Sequence, residues 1–305
     1  LTAATGLIGN ISMWRYLKQF LTRVDRRSLR IRRHFKETLV YFIPTIATSV
    51  YTILDKTMLG WFTGNNKSEN GYYEYATGFV NMSKILIMSF NAVMSARMSF
   101  LFGEGRMEEI HRRAERSLDF VLLMAFPIMM GLAGIAAGFV PWFLGEDYGP
   151  VVKLLYVCSP LVLVVGLSDY MGSQILTPGG KRAVSGKVIV AGAAVNFFLN
   201  LLLIPRFHAA GAAGASVAAE LFITVMYLYL SRGYVKWQML IKYGWKRAVS
   251  SLAMCAWVLW LGSVLKTGPI TTFLQIGSGG LLYFAGLFIL RDRFLLEQAG
   301  RFIRR

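Results

Sequence analysis

Five charged residues lie inside long apolar stretches of this sequence and more than four residues from either end. Asp55 and Lys56 are adjacent, whereas Lys84, Asp169 and Glu220 each lie in a separate apolar run. Charged side chains at bilayer depth are costly, and they face protein or a water-filled cavity where they pair or mark a substrate or ion pathway. A lysine there can hold an anion such as a phosphate, and a carboxylate can hold a cation or a proton. These residues are therefore the first candidates for function.

Structural roles compete with functional ones at these positions. Counted from the turn at residues 62–70, Lys56 and Glu74 are nearly level on adjacent helices, so they can simply neutralise each other. At 1.5 Å per residue, Lys84 and Glu220 lie near mid-membrane. Neither has a level partner on a neighbour in sequence, which favours a cavity-lining role over an ion pair.

Polar amides and potential metal ligands also occur in the sequence. Asn196 and Asn200 share one side of a helix at i,i+4, a pattern that favours interhelical hydrogen bonds over ligand binding. The three histidines, His34, His111 and His208, have no Cys or His at metal-ligand spacing. The sequence therefore predicts no metal site and no cofactor.

Composition identifies the environment of these residues. Of 305 residues, 55% are hydrophobic and only 16% are charged, which is typical of an integral membrane protein. The net charge of +17 would suit nucleic acid, but the basic residues cluster between apolar runs, as loops beside an anionic leaflet do. A basic segment at residues 11–36 has apolar residues at helical spacing, which predicts an interfacial helix, with a nucleic-acid arm as the alternative. We expect no nucleic-acid partner.

Eight apolar segments are each long enough to cross a bilayer, and lipid leaves the α-helix as their conformation. They are residues 38–61, 72–96, 117–142, 150–176, 183–205, 209–231, 248–265 and 269–290. The sequence therefore predicts an all-α integral membrane protein with eight transmembrane helices.

Loop charge predicts the orientation of these helices. Alternate connections are rich in Lys and Arg, with nine in residues 15–36 and five in residues 232–247, whereas the intervening turns contribute only Lys67, Arg206 and Lys266. By the positive-inside rule both flanking segments are cytoplasmic. No connection is long enough for a catalytic domain, so an enzyme is not expected.

Kinked helices and sheltered charges favour an alternating-access transporter. Pro44, Pro127 and Pro160 fall inside apolar segments and should bend or interrupt them. An alternative of another class is an integral-membrane glycosyltransferase or polymerase, for which Glu146 and Asp147 are the one acidic pair in the outer turns.

Several motifs resemble the second half of bacterial polysaccharide flippases, in the multidrug/oligosaccharidyl-lipid/polysaccharide exporter superfamily. They are FIPTIATSVYTILDKTMLGWF, ENGYYEYA, SFNAVMSARMSFLFGEG, FLGEDYGP, QILTPGGKR and AAVNFFLNLLLIPRFHAAGAAGASVAAE. The resemblance covers roughly residues 1–235. It implies two pseudo-symmetric six-helix lobes, of which this chain would be the second, followed by two terminal helices.

The resemblance also implies a cargo: an undecaprenyl-pyrophosphate-linked oligosaccharide, moved from the inner to the outer leaflet of the bacterial cytoplasmic membrane. For this cargo, the resemblance implies Lys56, Arg97, Asn196 and Asn200 as cavity residues, and the depth of Lys84 in the membrane adds that lysine to them. For ion coupling or charge pairing the resemblance implies Asp55, Glu74 and Glu220, and the position of Asp169 inside an apolar run adds that carboxylate. Export of cationic drugs, coupled to cations and relying on the carboxylates, is the alternative within transport.

Departures from the family pattern accompany this resemblance. Thr77-Gly78 stands where many members carry Lys, and Ala96 stands in place of Pro. The first lobe is absent, so we expect a fragment whose partners are lipid-linked oligosaccharide, membrane lipids, and the missing N-terminal lobe or polysaccharide-assembly proteins. We expect four regions. Residues 1–36 contain the end of a truncated helix and a basic interfacial cytoplasmic segment, and residues 37–235 form a six-helix lobe. Residues 236–290 form two further helices, and residues 291–305 form a basic cytoplasmic tail.

Overall fold

The computed structural model describes Ile11, Trp14, residues 31–64 and residues 67–297. Its contacts divide the chain into two units, Leu1–Tyr41 and Phe42–Arg305. Most of the predicted interfacial helix at 11–36 and the end of the basic tail lie outside the described residues. In the first unit the described backbone is helical from Ile31 onwards. All contacts given below belong to the second unit.

Helices account for the regular structure of the described residues, which contain no strand. In chain order they are α1 (Ile31–Phe62), α2 (Lys67–Gly103), α3 (Met107–Leu144), α4 (Gly149–Cys158), α5 (Leu161–Met171), α6 (Arg182–Leu230), α7 (Trp237–Val264) and α8 (Pro269–Ile289). A 3₁₀ turn at Glu146–Tyr148 precedes α4, and a π-helical turn at Gly172–Leu176 follows α5. The predicted all-α class is confirmed.

Five of these helices, α2, α3, α6, α7 and α8, are long and apolar enough to cross a membrane, and α4 with α5 forms a sixth candidate bent by 43°. The chain is therefore a multi-pass membrane protein. The predicted count of eight is not confirmed. The five to six candidate spans in the structure include α6 as a single span. They do not include α1, whose side chains are described only in part.

Helix α6 consists of two helices that meet at a kink. His208 has φ 50° and ψ −129°, which is outside the helical region. The two halves are antiparallel, since the Ser185 Oγ and Tyr227 OH are 3.2 Å apart. A side chain on Gly192 would place its Cβ 2.5 Å from Ile223, so glycine permits the close approach of the two halves. The break falls within the predicted gap between residues 205 and 209.

The prolines had been expected to bend or interrupt their helices. Pro160 lies between α4 and α5, at the 43° bend. Pro127 lies inside the continuous helix α3, and helical backbone also continues through Pro44 in α1. The expected interruption is therefore found at Pro160.

Helix α3 packs against the preceding and following helices of the second unit and also against the last two helices. It contacts α2 and α5 as well as α7 and α8. Leu123 of α3 forms a small core with Met254 and Val258 of α7 and with Tyr283 of α8. Tight packing rather than exclusion of water holds helices together in lipid. The last two helices thus join the rest of the chain through α3.

A buried arginine strengthens this junction. Arg247 of α7 is 1% exposed, and its Nη1 donates a hydrogen bond of 2.7 Å to the backbone oxygen of Asp119 in α3. Its Nη2 contacts the Asp119 carboxylate and lies 3.3 Å from Oδ2 of Asp292, beyond α8. One guanidinium therefore ties α3, α7 and the segment after α8 together.

Candidate functional site

Asp55 is the most buried of the charged residues predicted for the site, at 1% exposure on α1. Its carboxylate accepts three hydrogen bonds: from Asn200 Nδ2 at 2.6 Å, from Ser216 Oγ at 2.9 Å and from Tyr73 OH at 2.9 Å. Tyr73 belongs to α2, and Asn200 and Ser216 belong to the two halves of α6. The carboxylate therefore connects three segments of the fold.

The two asparagines belong to the same cluster. Asn200 Nδ2 also donates to Asn196 Oδ1 at 3.0 Å, and both residues are fully buried. Asn196 Nδ2 and Asn200 Oδ1 have no hydrogen-bond partner among the described residues. The structure thus brings both amides into the Asp55 cluster as hydrogen-bonding groups, and the described residues leave two of their polar atoms without a partner.

No basic side chain is paired with Asp55 in the described part of the chain. A buried carboxylate surrounded only by neutral donors still carries the cost of leaving water. Binding a proton or a cation would remove that cost. Its ligands would be oxygens of Asp55, the asparagines and Ser216, which suit a hard cation. Among the described residues, no group of three His, Cys, Asp or Glu side chains could hold a metal ion.

Lys56 lies beside Asp55 in sequence but occupies a different environment. Its Nζ is 2.9 Å from Oε1 of Glu74, and the two side chains are 42% and 69% exposed. Lys56 also borders a shallow cavity of about 330 Å³ together with Thr52, Ile53 and Thr57. The level positions of Lys56 and Glu74 therefore do produce a pair, and that pair is accessible.

Lys84 is half-buried on α2 and forms no hydrogen bond or ion pair with any described residue. Glu220 and Asp169 both interact with it electrostatically at longer range. Neither carboxylate depends on Lys84 for contacts, because Glu220 accepts a 2.8 Å bond from Tyr51 and Asp169 accepts a 2.9 Å bond from Asn91. The ammonium group of Lys84 is thus free to bind an anion.

Buried amides and tyrosines were missing from the sequence-based site. Asn91 Oδ1 accepts from Gln174 Nε2 at 2.9 Å, and both side chains are fully buried. Their signal in the sequence is an uncharged amide within an otherwise apolar run. Tyr51 precedes Asp55 by four residues and therefore lies on the same side of α1.

Arg97 is exposed near the end of α2 and makes no ion pair with a described residue. It follows Lys84 by thirteen residues, about 20 Å along the helix, and Glu74 precedes Lys84 by about 15 Å. The predicted residues therefore form three groups: the Asp55 cluster with both asparagines, the Lys56–Glu74 pair, and Lys84 with its two carboxylates. Arg97 stands apart from all three.

Glu146 and Asp147, the acidic pair considered for catalysis, lie in the 3₁₀ turn between α3 and α4. The Tyr72 hydroxyl donates a 3.3 Å hydrogen bond to the backbone oxygen of Asp147. The side chains of both residues are exposed. Both lie at the end of the apolar run of α3.

Comparison with known proteins adds the family context. Residues 5–153 match the model of a family described as polysaccharide biosynthesis protein. A putative O-antigen transporter of Escherichia coli K12 is 24% identical over 204 residues, 66% of this chain and 48% of that protein. An uncharacterized membrane protein of Methanocaldococcus jannaschii is 23% identical over 212 residues, 70% of this chain and 41% of its own length. The chain thus spans about half the length of these curated relatives.

Solved structures show the same fold. The lipid II flippase MurJ in an inward closed conformation superposes with a TM-score of 0.71 at 18% identity, covering 94% of this chain and 61% of MurJ. An outward-facing multidrug transporter of the MATE family gives a TM-score of 0.56 at 15% identity, covering 86% of this chain and 65% of that transporter. Sequence and fold together confirm that this chain is similar to the polysaccharide flippases of the multidrug/oligosaccharidyl-lipid/polysaccharide exporter superfamily.

Proposed function

We propose that the chain forms part of a flippase that moves an undecaprenyl-pyrophosphate-linked oligosaccharide from the inner to the outer leaflet. The observation that carries this proposal is Lys84, a half-buried ammonium group in an apolar helix with no ion pair among the described residues. Leaving such a cation unpaired is costly in a membrane unless an anion or water reaches it. A pyrophosphate is an anion of the required kind.

The other predicted groups extend this pathway. Lys56 is accessible beside a cavity, and Arg97 is exposed on the same helix as Lys84. Arg97 follows Lys84 on α2, and Lys56 is paired with Glu74, which precedes Lys84 on the same helix. The cations are therefore spread along α2 and not gathered at one point. A large headgroup that moves across the bilayer would meet them in succession. The Lys56–Glu74 pair would open to release its ammonium group to the cargo.

Ion coupling is assigned to the carboxylates. Asp55 connects α1, α2 and both halves of α6, so a proton or cation bound there would change contacts between these helices. In another state of the transport cycle, Glu220 and Asp169, which interact with Lys84 at longer range in this structure, would approach the lysine and neutralise it. Alternating access would then exchange cargo and carboxylates as partners of the same lysine.

Topology and partners follow from the same proposal. Both flanking segments would lie in the cytoplasm of a bacterial cell, with the lobe of residues 37–235 and the two helices of 236–290 in its inner membrane. The cargo pathway would form between this lobe and an N-terminal lobe, and polysaccharide-assembly proteins would supply the lipid-linked unit. No cofactor and no nucleic acid take part.

Replacing Lys84 with alanine in the whole protein tests the proposal. We expect surface polymer to fall by about tenfold or more at unchanged protein level, because one charge-assisted contact to pyrophosphate is worth roughly 1.5–3 kcal/mol. Lys56→Ala should also lower export, and Lys84→Arg should restore part of it. Lys266→Ala removes the same charge from an exposed site and should leave export unchanged. Normal export in both Lys84→Ala and Lys56→Ala would remove these lysines from the mechanism.

A cation-coupled multidrug exporter is the second candidate, favoured by the fold it shares with the MATE transporter and by the Glu220–Tyr51 hydrogen bond, which keeps a carboxylate in the membrane. In that case Glu220→Gln would raise the accumulation of a cationic dye, and Lys84→Ala would not impair dye export. The flippase proposal expects dye accumulation to be the same with and without Glu220→Gln.

A further inference from the structure

A cavity of about 500 Å³ lies between α2, α3, α7 and the segment after α8, and none of the proposed cargo residues line it. Part of its wall is apolar: the rings of Phe90 and Phe120 have centroids 4.0 Å apart, and Met94 lies beside them. The rest of the wall carries three arginines and three carboxylates, Arg112, Arg116, Arg293, Glu115, Asp119 and Glu297. The cavity is therefore amphipathic.

Two of the three carboxylates are neutralised by the protein. Asp119 contacts Arg247, and Glu297 accepts a 2.9 Å hydrogen bond from Arg293. Glu115 accepts a hydrogen bond only from the neutral Tyr243 hydroxyl, as far as the described residues show. Its negative charge is therefore not matched by an ion pair.

Two of the arginines are also unmatched. Arg112 and Arg116 are one helical turn apart on α3, and neither forms a hydrogen bond or an ion pair with any described residue. Guanidinium groups placed this way can hold a phosphate from two sides. The cavity therefore offers two free cations and one carboxylate without a cationic partner.

The depth of the cavity matches the level of lipid headgroups. Arg112 and Arg116 directly precede the apolar run that starts at residue 117, and Phe90 and Met94 lie near the end of the apolar run 72–96. Its polar part is therefore at the edge of the hydrocarbon region and its apolar part lies within that region. By the distribution of loop charge, this edge is the basic one.

We propose that this cavity binds a phospholipid whose headgroup carries a primary amine, such as phosphatidylethanolamine. Its phosphate lies between Arg112 and Arg116, its ammonium group faces Glu115, and the first part of its acyl chains packs on Phe90 and Phe120. This occupant matches each unpaired charge with one of opposite sign. A phospholipid without an amine would leave the charge of the half-buried Glu115 without a partner of opposite sign, which is less favourable. Bound there, the lipid would bridge the lobe and the last two helices.

Native mass spectrometry of the purified full chain with defined lipids tests the proposal. We expect phosphatidylethanolamine to remain bound in preference to phosphatidylglycerol. Arg112→Gln combined with Arg116→Gln should lower its retention about tenfold or more, because two charge-assisted hydrogen bonds are lost. Arg206→Gln with Lys266→Gln removes the same two charges from exposed positions and should leave retention unchanged.

A second variant separates headgroup recognition from folding. Glu115→Gln retains an acceptor for Tyr243, and it should abolish the preference for phosphatidylethanolamine over phosphatidylglycerol while phospholipid still binds. Equal retention of both lipids by the unmodified chain would overturn the proposal, as would unchanged retention in the arginine variant. Displacement of the lipid by millimolar inorganic phosphate would also overturn it, since a phosphate site would then suffice.

Discussion

Replacing Arg247 with methionine would test how the last two helices are held to the lobe. In the native structure one buried guanidinium contacts the carboxylates of Asp119 and Asp292. Methionine has a similar apolar stem but leaves two carboxylates facing each other without a cation. Breaking a buried pair from one side costs about 3–5 kcal/mol, because an uncompensated buried charge remains. Asp292→Asn, by contrast, leaves a neutral Arg247–Asp119 pair, and we expect a cost of about 1 kcal/mol.

Thermal unfolding of the detergent-solubilised chain measures this difference. A loss of about 3 kcal/mol corresponds to a decrease in Tm of about 6–12 °C, whereas Asp292→Asn should lower it by about 2–4 °C. Arg232→Met serves as a control, since Arg232 is exposed and lies over the Tyr229 ring at 4.9 Å from its centroid. Equal shifts for Arg247→Met and Asp292→Asn would refute the charge argument, because the two variants differ mainly in the charge that remains.

Two further outcomes follow from the packing and the polar cluster. Gly211→Ala should lower the Tm by several degrees, because its Cβ would lie 2.4 Å from the Leu203 backbone oxygen. Gly214→Ala should not lower the Tm, because its Cβ would meet no atom within 4 Å. Equal Tm shifts in the two variants would show that the turn relaxes freely. Asp55→Asn should abolish any increase in Tm that Na⁺ or acidification gives the unmodified chain, and a response that persists in the variant would place the ion elsewhere.

Much of the helical architecture could be predicted from apolar runs alone. Lipid leaves a chain few conformations, so a run of about 20 apolar residues becomes a helix whatever its neighbours are. The turn in α6 could be predicted as well, since Pro205 and the basic Arg206 and His208 interrupt the apolar pattern there. The start of α7 could not be predicted in this way, because the apolar run begins at residue 248 whereas the helix begins at Trp237.

Part of the candidate site was readable for a geometric reason. Lys56 and Glu74 lie on consecutive helices joined by a short turn, so counting from that turn places them side by side. Asp55 could not be treated in this way. Its partners Asn200 and Ser216 are 145 and 161 positions away, and only the tertiary packing brings them together.

Adjacent residues on a helix point about 100° apart, and this separates Asp55 from Lys56. The sequence presents them as one charged pair, but in the structure one is enclosed and the other is accessible. Arg247 shows the opposite problem. It counts as a loop charge in the basic segment 232–247, yet its side chain is enclosed between α3 and the chain beyond α8. Counting charges along a sequence does not distinguish a loop residue that reports membrane orientation from a buried residue that holds helices together.

Helix α3 contacts α2 and α5 and also the last two helices. We therefore expect α7 and α8 to move together with the lobe if the lobe tilts. A fluorophore on α8, for example at Leu281, which is 75% exposed, would then report such a movement without altering the proposed cargo residues.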